Sequence, residues 1–390
     1  MNLRFRRRGR ENQRPEERSF KMEIIAIGIM GANTGGTGLA EVFLKHGYQV
    51  RIYDDFKDSL NIAMAKICWS MRKAGKENLM ANIEGIQDLS KFKGADIVIE
   101  TLTKDIDERR FAFSKLKDFI DPNCVIAASC AVQPLKTLIE NTELPKERTL
   151  GFHFVQPVRS NPLVELVRLD ATKDEYLDAA VNLLRKIEKT PVLVKDNPGQ
   201  IVERLFRPFI LSAFKLLEAG KGSPHEIDAA FKEVGGMPAG PFEAVDFVGL
   251  DRDYKATRDI YEALGKPERL TPSAMEMRLV QYGQLGRKST IGFYIYEDGM
   301  IVGENPILPN IVKYLGLKKV SKEEIFSELL RPMIEEAKIL ASEIMASEHD
   351  IETAVKLALD WPKGPFAYSR DLEHLFVKKT VSEFEKLDSY

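Results

Sequence analysis

At 390 residues the chain is long enough for two or three domains of ordinary size, and its 44% apolar content suffices for ordinary cores, which excludes a fibrous or wholly disordered protein. Its longest apolar run, Ile24 to Met30, falls far short of the roughly 20 residues that span a bilayer, and no charged-then-apolar leader opens the chain. The net charge of −2 conceals a basic start, and the three cysteines (Cys68, Cys124, Cys130) lack CxxC spacing, so no disulfide framework and no metal site is predicted, and a reducing, cytoplasmic setting fits.

In chain order, residues 1–21 come first, with seven Arg and one Lys against three Glu, a net +5 that leaves −2 − 5 = −7 on the rest. Glu11, Glu16 and Glu17 interrupt the basic run, and little amphipathic pattern is present. A disordered tail is predicted, with no nucleic-acid partner.

From Met22 to about Val194, short β-rich runs alternate with amphipathic helical patterns: IIAIGIM, a helix after Gly36, YQVRIYD, a helix around Ile62 to Lys73, DIVIETL, another helix, then CVIAASC. That order predicts a parallel sheet with helices on both faces, which GFHFV (Gly151 to Val155), LVELVRL (Leu163 to Leu169) and TPVLVKD (Thr190 to Asp196) extend.

Directly after the first strand stands GANTGGTG, Gly31 to Gly38. A Rossmann-type dinucleotide site wants GxGxxG here, with glycines to turn the chain, to admit pyrophosphate and to pack helix on strand. Gly31 and Gly36 meet the first and third demands, whereas Asn33 holds the middle position and crowds the place of the phosphates. Asp54 ends the second strand 18 residues beyond Gly36, where a carboxylate accepts from both ribose hydroxyls and favours NAD over its 2′-phosphorylated form.

Of five histidines, His46 precedes Gly47 at a helix end, His225 and His349 occupy matching places in a repeat, and His374 falls in the last helical pattern. His153 is different, because it sits inside the apolar strand GFHFV. Twelve residues on, Glu165 interrupts LVELVRL, where an unpaired buried carboxylate is costly. A histidine base needs such a partner to fix its tautomer and to stabilise its protonated form. Spacing alone leaves open whether the two meet or both face water.

Beyond Pro198 and Gly199 the pattern becomes almost wholly helical and contains a repeat. Arg207 to Phe242 and Arg331 to Phe366 align without a gap at an offset of 124, with 14 of 36 positions identical where chance gives about two. The stretch Gly303 to Asn310 reads as the linker between copies. Four segments are therefore expected: the tail at 1–21, a Rossmann-like NAD-binding domain at 22–198, and helical domains at 199–300 and 301–390. In fold class this is an α/β Rossmann-like domain followed by an all-α, internally duplicated region. Pairing of the two copies within one chain predicts a monomer with a pseudo-twofold helical half, with a homodimer as the alternative.

GFHFVQPVRSNPLVELVRL resembles the catalytic segment of the L-3-hydroxyacyl-CoA dehydrogenases. The likeness continues through DNPGQIVERL (Asp196 to Leu205), GMPAGPFEAVDFVGLD (Gly236 to Asp251) and LGRKSTIGFYIY (Leu285 to Tyr296), and covers Met22 to roughly Phe366. The repeat is similar to family members carrying two C-terminal domains. The resemblance implies an NAD-dependent enzyme of fatty acid metabolism acting on an acyl-CoA thioester, with His153 as general base and Glu165 as its partner. It implies cofactor contacts at Gly31, Asn33, Thr34, Gly36, Asp54, Lys104, Arg109 and Cys130, and substrate contacts at Val132 and Gln156.

The chain departs from the family pattern near the chemistry. Cys130 and Val132 replace an Asn and a Ser, Gln156 follows HFV, Lys104 replaces a cofactor-side Glu, and Glu203 replaces a substrate-facing Asn in PGxIVxR. Val132 has no donor, and ionised Glu203 offers only acceptors. Glu203 joins the catalytic candidates as a second carboxylate that favours protonated His153, with pairing to Arg204 or Arg207 as the alternative. A weakened homologue that binds NAD or acyl-CoA as a scaffold, and a dehydrogenase of another hydroxy acid, remain the competing readings.

Overall fold

The computed structural model describes residues 22–312, 320–343 and 345–373. The basic tail, His374 and the end of the last predicted segment lie outside them. Eight strands form one sheet: β1 (Ala26–Met30), β2 (Gln49–Tyr53), β3 (Ile83–Ile86), β4 (Ile97–Glu100), β5 (Val125–Ser129), β6 (Thr149–Phe154), β7 (Leu163–Arg168) and β8 (Thr190–Lys195). Their order across it is β3-β2-β1-β4-β5-β6-β7-β8. Helices α1 (Thr34–Lys45), α2 (Lys57–Lys73), α3 (Ile106–Leu116), α4 (Leu135–Leu138) and α5 (Asp174–Lys186) connect the strands.

Strand alternation supplies two cores. In β1, Ile27 and Ile29 join Phe43, Ile67 and Leu184 on one face, while Met30 joins Phe92, Phe113 and Leu116 on the other. Gly28 is required on that second face, since a methyl there would lie 2.8 Å from the Phe92 ring. The predicted parallel sheet holds through β6 only, because β7 runs antiparallel to it and β8 pairs parallel with β7. The eight residues between Phe154 and Leu163 are too few for a crossover, which needs a dozen or more.

The second half contains α6 (Val202–Glu218), α7 (Pro224–Gly235), α8 (Pro241–Val248), α9 (Leu250–Ala263), α10 (Ala274–Gln281), α11 (Leu308–Ile311), α12 (Lys322–Ser342) and α13 (Glu348–Leu359). It is not wholly helical. A hairpin of β9 (Tyr294–Glu297) and β10 (Met300–Glu304) crosses the expected domain boundary at 300. Nor is the stretch after it a loose linker: Asn305 donates to Gly292 O and Gln284, and Leu308 and Ile311 are buried. One hydrophobic cluster runs through α6–α13, so these helices share a core rather than forming two separate units. At the repeat offset the same capping devices recur. Ser223 and Ser347 cap α7 and α13, and the carboxylates of Asp228 and Glu352 accept backbone N–H groups of the following Gly-Pro-Phe turns.

Candidate active site

Antiparallel pairing of β6 with β7 sets His153 directly opposite Glu165. His153 Nδ1 donates to Glu165 Oε2, which leaves Nε2 as the nitrogen available for proton transfer. The other carboxylate oxygen, Oε1, accepts from Ile201 N at 2.7 Å and Val202 N at 3.1 Å, the amides that open α6. Three donors therefore converge on a carboxylate with 0% exposure, and the positive end of a helix dipole adds to them. Burial by itself pushes the His153 imidazole down, but the Glu165 hydrogen bond and charge, with the Glu203 charge, outweigh it and hold the imidazole above its ordinary value.

Glu203 follows the two amides that hold Glu165 and pairs one helical turn on with Arg207, at 3.1 Å. Both expected roles thus meet in one residue: its charge reaches His153, and an arginine anchors it. Arg207 is itself buried, donating through Nη1 to Asp253 Oδ1 at 2.8 Å and Thr257 Oγ1 at 3.2 Å while its guanidinium lies over the Phe206 ring. Beyond it, Glu276 faces Asp253, and among the described residues no donor reaches Asp253 Oδ2 or either Glu276 oxygen. Burial followed by the Asp253 charge pushes Glu276 well above the usual carboxylate range.

At the glycine turn, Gly31 adopts φ +117° and donates to Tyr53 O. A Cβ on Gly36 would fall 1.9 Å from Gly31 O, so helix and turn touch only because that side chain is absent. Asp54, at the end of β2, accepts from Ala32 N and Phe56 N at 2.9 and 3.0 Å and keeps further lone pairs for hydroxyl donors. Thr34 is exposed at the first position of α1. These features fit a dinucleotide in the crevice between β1 and β4, where strand order reverses. Asn33 caps α1 through Oδ1, which accepts from Gly36 N at 3.0 Å, and its Nδ2 donates to Thr101 O.

The other expected contacts are placed as follows. Arg109 forms a two-pronged pair with buried Glu100 and donates to Ser129 O, closing the ends of β4 and β5, so its Nε and Nη2 donors are already engaged within the protein. Cys130 is 1% exposed, its Sγ wedged beside Gly151 and Val167 and its thiol pushed well up by burial; it fills the space that glycine leaves and does not face the crevice. Lys104 pairs with Asp55 at 3.0 Å on the rim next to Asp54. Gln156 is exposed, with Nε2 near Gly35 at the glycine turn. Val132 packs on the helical core and accepts from Gly199 N at 3.0 Å, presenting no side-chain donor.

Residues 26–197 match the family model described as 3-hydroxyacyl-CoA dehydrogenase, NAD binding domain, and residues 199–296 match that of 3-hydroxyacyl-CoA dehydrogenase, C-terminal domain. Over 383 residues, 93% of this chain, the sequence is 30% identical to the fatty acid oxidation complex subunit alpha of Idiomarina loihiensis, of which it covers 52%. This chain spans between 52% and 59% of the length of the curated relatives it matches. Among solved structures, (S)-3-hydroxybutyryl-CoA dehydrogenase from Ralstonia eutropha is 30% identical with a TM-score of 0.65, covering 71% of this chain and 100% of that one. The 3-hydroxybutyryl-CoA dehydrogenase of Escherichia coli K12 shares the fold over 90% of this chain and 92% of its own, at 24% identity and a TM-score of 0.79.

Proposed function

This chain belongs to the 3-hydroxyacyl-CoA dehydrogenase family, and from that premise we propose that it interconverts an L-3-hydroxyacyl-CoA and the 3-ketoacyl-CoA. NAD, when bound, supplies the hydride acceptor. His153 Nε2 takes the proton of the 3-hydroxyl, and the imidazolium so formed is met by Glu165. The Ile201 and Val202 amides keep that carboxylate in place throughout. In the reverse direction His153 returns the proton to the ketone oxygen. Because Val132 offers no donor, that oxygen lacks one hydrogen bond, a loss worth about 3–4 kcal/mol in comparable oxyanion sites. A slow enzyme is therefore expected.

The observation that carries this reading is the cross-strand His153–Glu165 pair, fixed from behind by two backbone amides. Loss of NADH absorbance with acetoacetyl-CoA tests it. Turnover that disappears in His153→Ala supports the dehydrogenase, whereas NADH binding with no turnover on any 3-ketoacyl-CoA sinks it in favour of a binding scaffold. The proposed monomer is supported by α12 packing on α6 within one chain. Light scattering that found an obligate dimer would overturn it. Among the described residues no helix is long and apolar enough to cross a membrane. Three free cysteines, two of them buried, support the cytoplasmic assignment.

A further inference from the structure

The Asn33 side chain joins the two walls of the dinucleotide crevice. Its Oδ1 accepts from Gly36 N, in the first turn of α1, and its Nδ2 donates to Thr101 O, just beyond β4. β1 lies between β2 and β4, so this amide spans the point at which the strand order reverses. Thr101 is itself held, its hydroxyl donating to Met30 O and Gly31 O at 3.2 Å. The Gly36 N–H is one of the helix-start donors that otherwise meet a phosphate oxygen. A neutral side-chain amide thus satisfies, within the protein, the group that a pyrophosphate needs.

We propose that Asn33 is a latch across the cofactor crevice, which the pyrophosphate of NAD must open before the dinucleotide can seat, and that this residue sets the affinity of the site. The inference rests on the NAD-dependent reading above. Opening the latch breaks two hydrogen bonds and leaves Thr101 O to find another donor, so the cost is charged against binding and not against the proton transfer at His153. The effect belongs to ligands with a pyrophosphate, because adenosine alone does not reach the start of α1.

Titration of the full chain with NADH, ADP-ribose and adenosine, followed by calorimetry, tests this with Asn33→Gly and Asn33→Ala. Both variants are expected to bind NADH and ADP-ribose about tenfold more tightly, as one lost hydrogen-bond penalty of this kind implies. Adenosine affinity is expected to stay within about twofold, and the ligand-free variants are expected to melt at lower temperature because the α1 cap is gone. A gain confined to Asn33→Gly would show that the Cβ, not the amide, obstructs the site, and would overturn the latch. Equal affinities across all three proteins would overturn it as well. Absence of NADH binding in every protein would instead overturn the cofactor reading on which it rests, taking the latch with it.

Discussion

Glu165 and Glu276 are both 0% exposed, yet their surroundings differ. Three donors converge on Glu165: the His153 ring and the Ile201 and Val202 amides. Around Glu276, among the described residues, there is none, and the carboxylate of Asp253 acts on it. The first arrangement supports a negative charge that orients a histidine; the second favours the protonated acid. Depth of burial therefore does not decide what a buried acid does, and the supply of donors does. The helical cluster around Arg207 is the weaker-founded of the two, and the strand pair is where chemistry can be borne.

That contrast can be broken most sharply at the strand pair. Replacing His153 by Ala is expected to lower kcat/KM for acetoacetyl-CoA reduction by about 10³-fold, within the range for a general acid or base, with NADH affinity little changed. Glu165→Gln keeps the shape but removes the charge. Turnover is expected to fall about a hundredfold or more, and the pH at which His153 loses its proton, read from the pH–rate profile, should drop, since the pair that raises it is gone. An unchanged profile would refute the assigned partner.

At the helical pair the expected effect is on stability. A carboxyl raised in the folded state binds more protons folded than unfolded, so its stabilising contribution is present at low pH and is lost as pH rises from the ordinary carboxylate value of 4.5 through the folded value. Glu276→Gln mimics the protonated acid, its amide donating to Asp253. Relative to the parent, its melting temperature should hold up better from pH 5 towards pH 8, by about 2–4 °C for each 1 kcal/mol of relief. A variant that melts lower at every pH would show that Glu276 is not held protonated. The smallest effect is expected at Glu203→Asn, which removes one of the two carboxylates acting on His153. The alkaline limit for reduction should move to lower pH, and oxidation at neutral pH should rise about two- to fivefold.

Much of the strand pair was legible. A histidine in GFHFV and an acid breaking LVELVRL stand out because neither belongs in an apolar strand without a partner; the antiparallel turn was not read, although the gap of eight residues between β6 and β7 is too short for the parallel crossover that was expected. The glycine positions were legible for the same reason, since their demands are steric and local. Arg109 and Cys130 were misplaced because a match of positions carries no information about which way a side chain faces. Asp253 went unseen because α9 is rich in charged residues, among which an inward-facing acid looks like part of a solvated surface, and Glu276 because an acid in the first turn of a helix reads as an ordinary helix-start residue. Arg207 was visible as the Arg-Pro pair that opens both repeats and as one of two possible partners for Glu203, but not as a buried residue reaching Asp253. Thr101 acts through its carbonyl, for which no residue type is a signal.

The last helices also tie back onto the sheet. Lys195 N donates to Met345 O at 2.9 Å, and Asn161 Nδ2 donates to Ala358 O at 3.0 Å, while the chain itself passes between the halves at Asn197–Gly199. A lobe hung on a single crossing could swing like a door; here the free edge is fastened too. Clamshell opening would have to rupture both fastenings, at a cost of about 1 kcal/mol for each hydrogen bond.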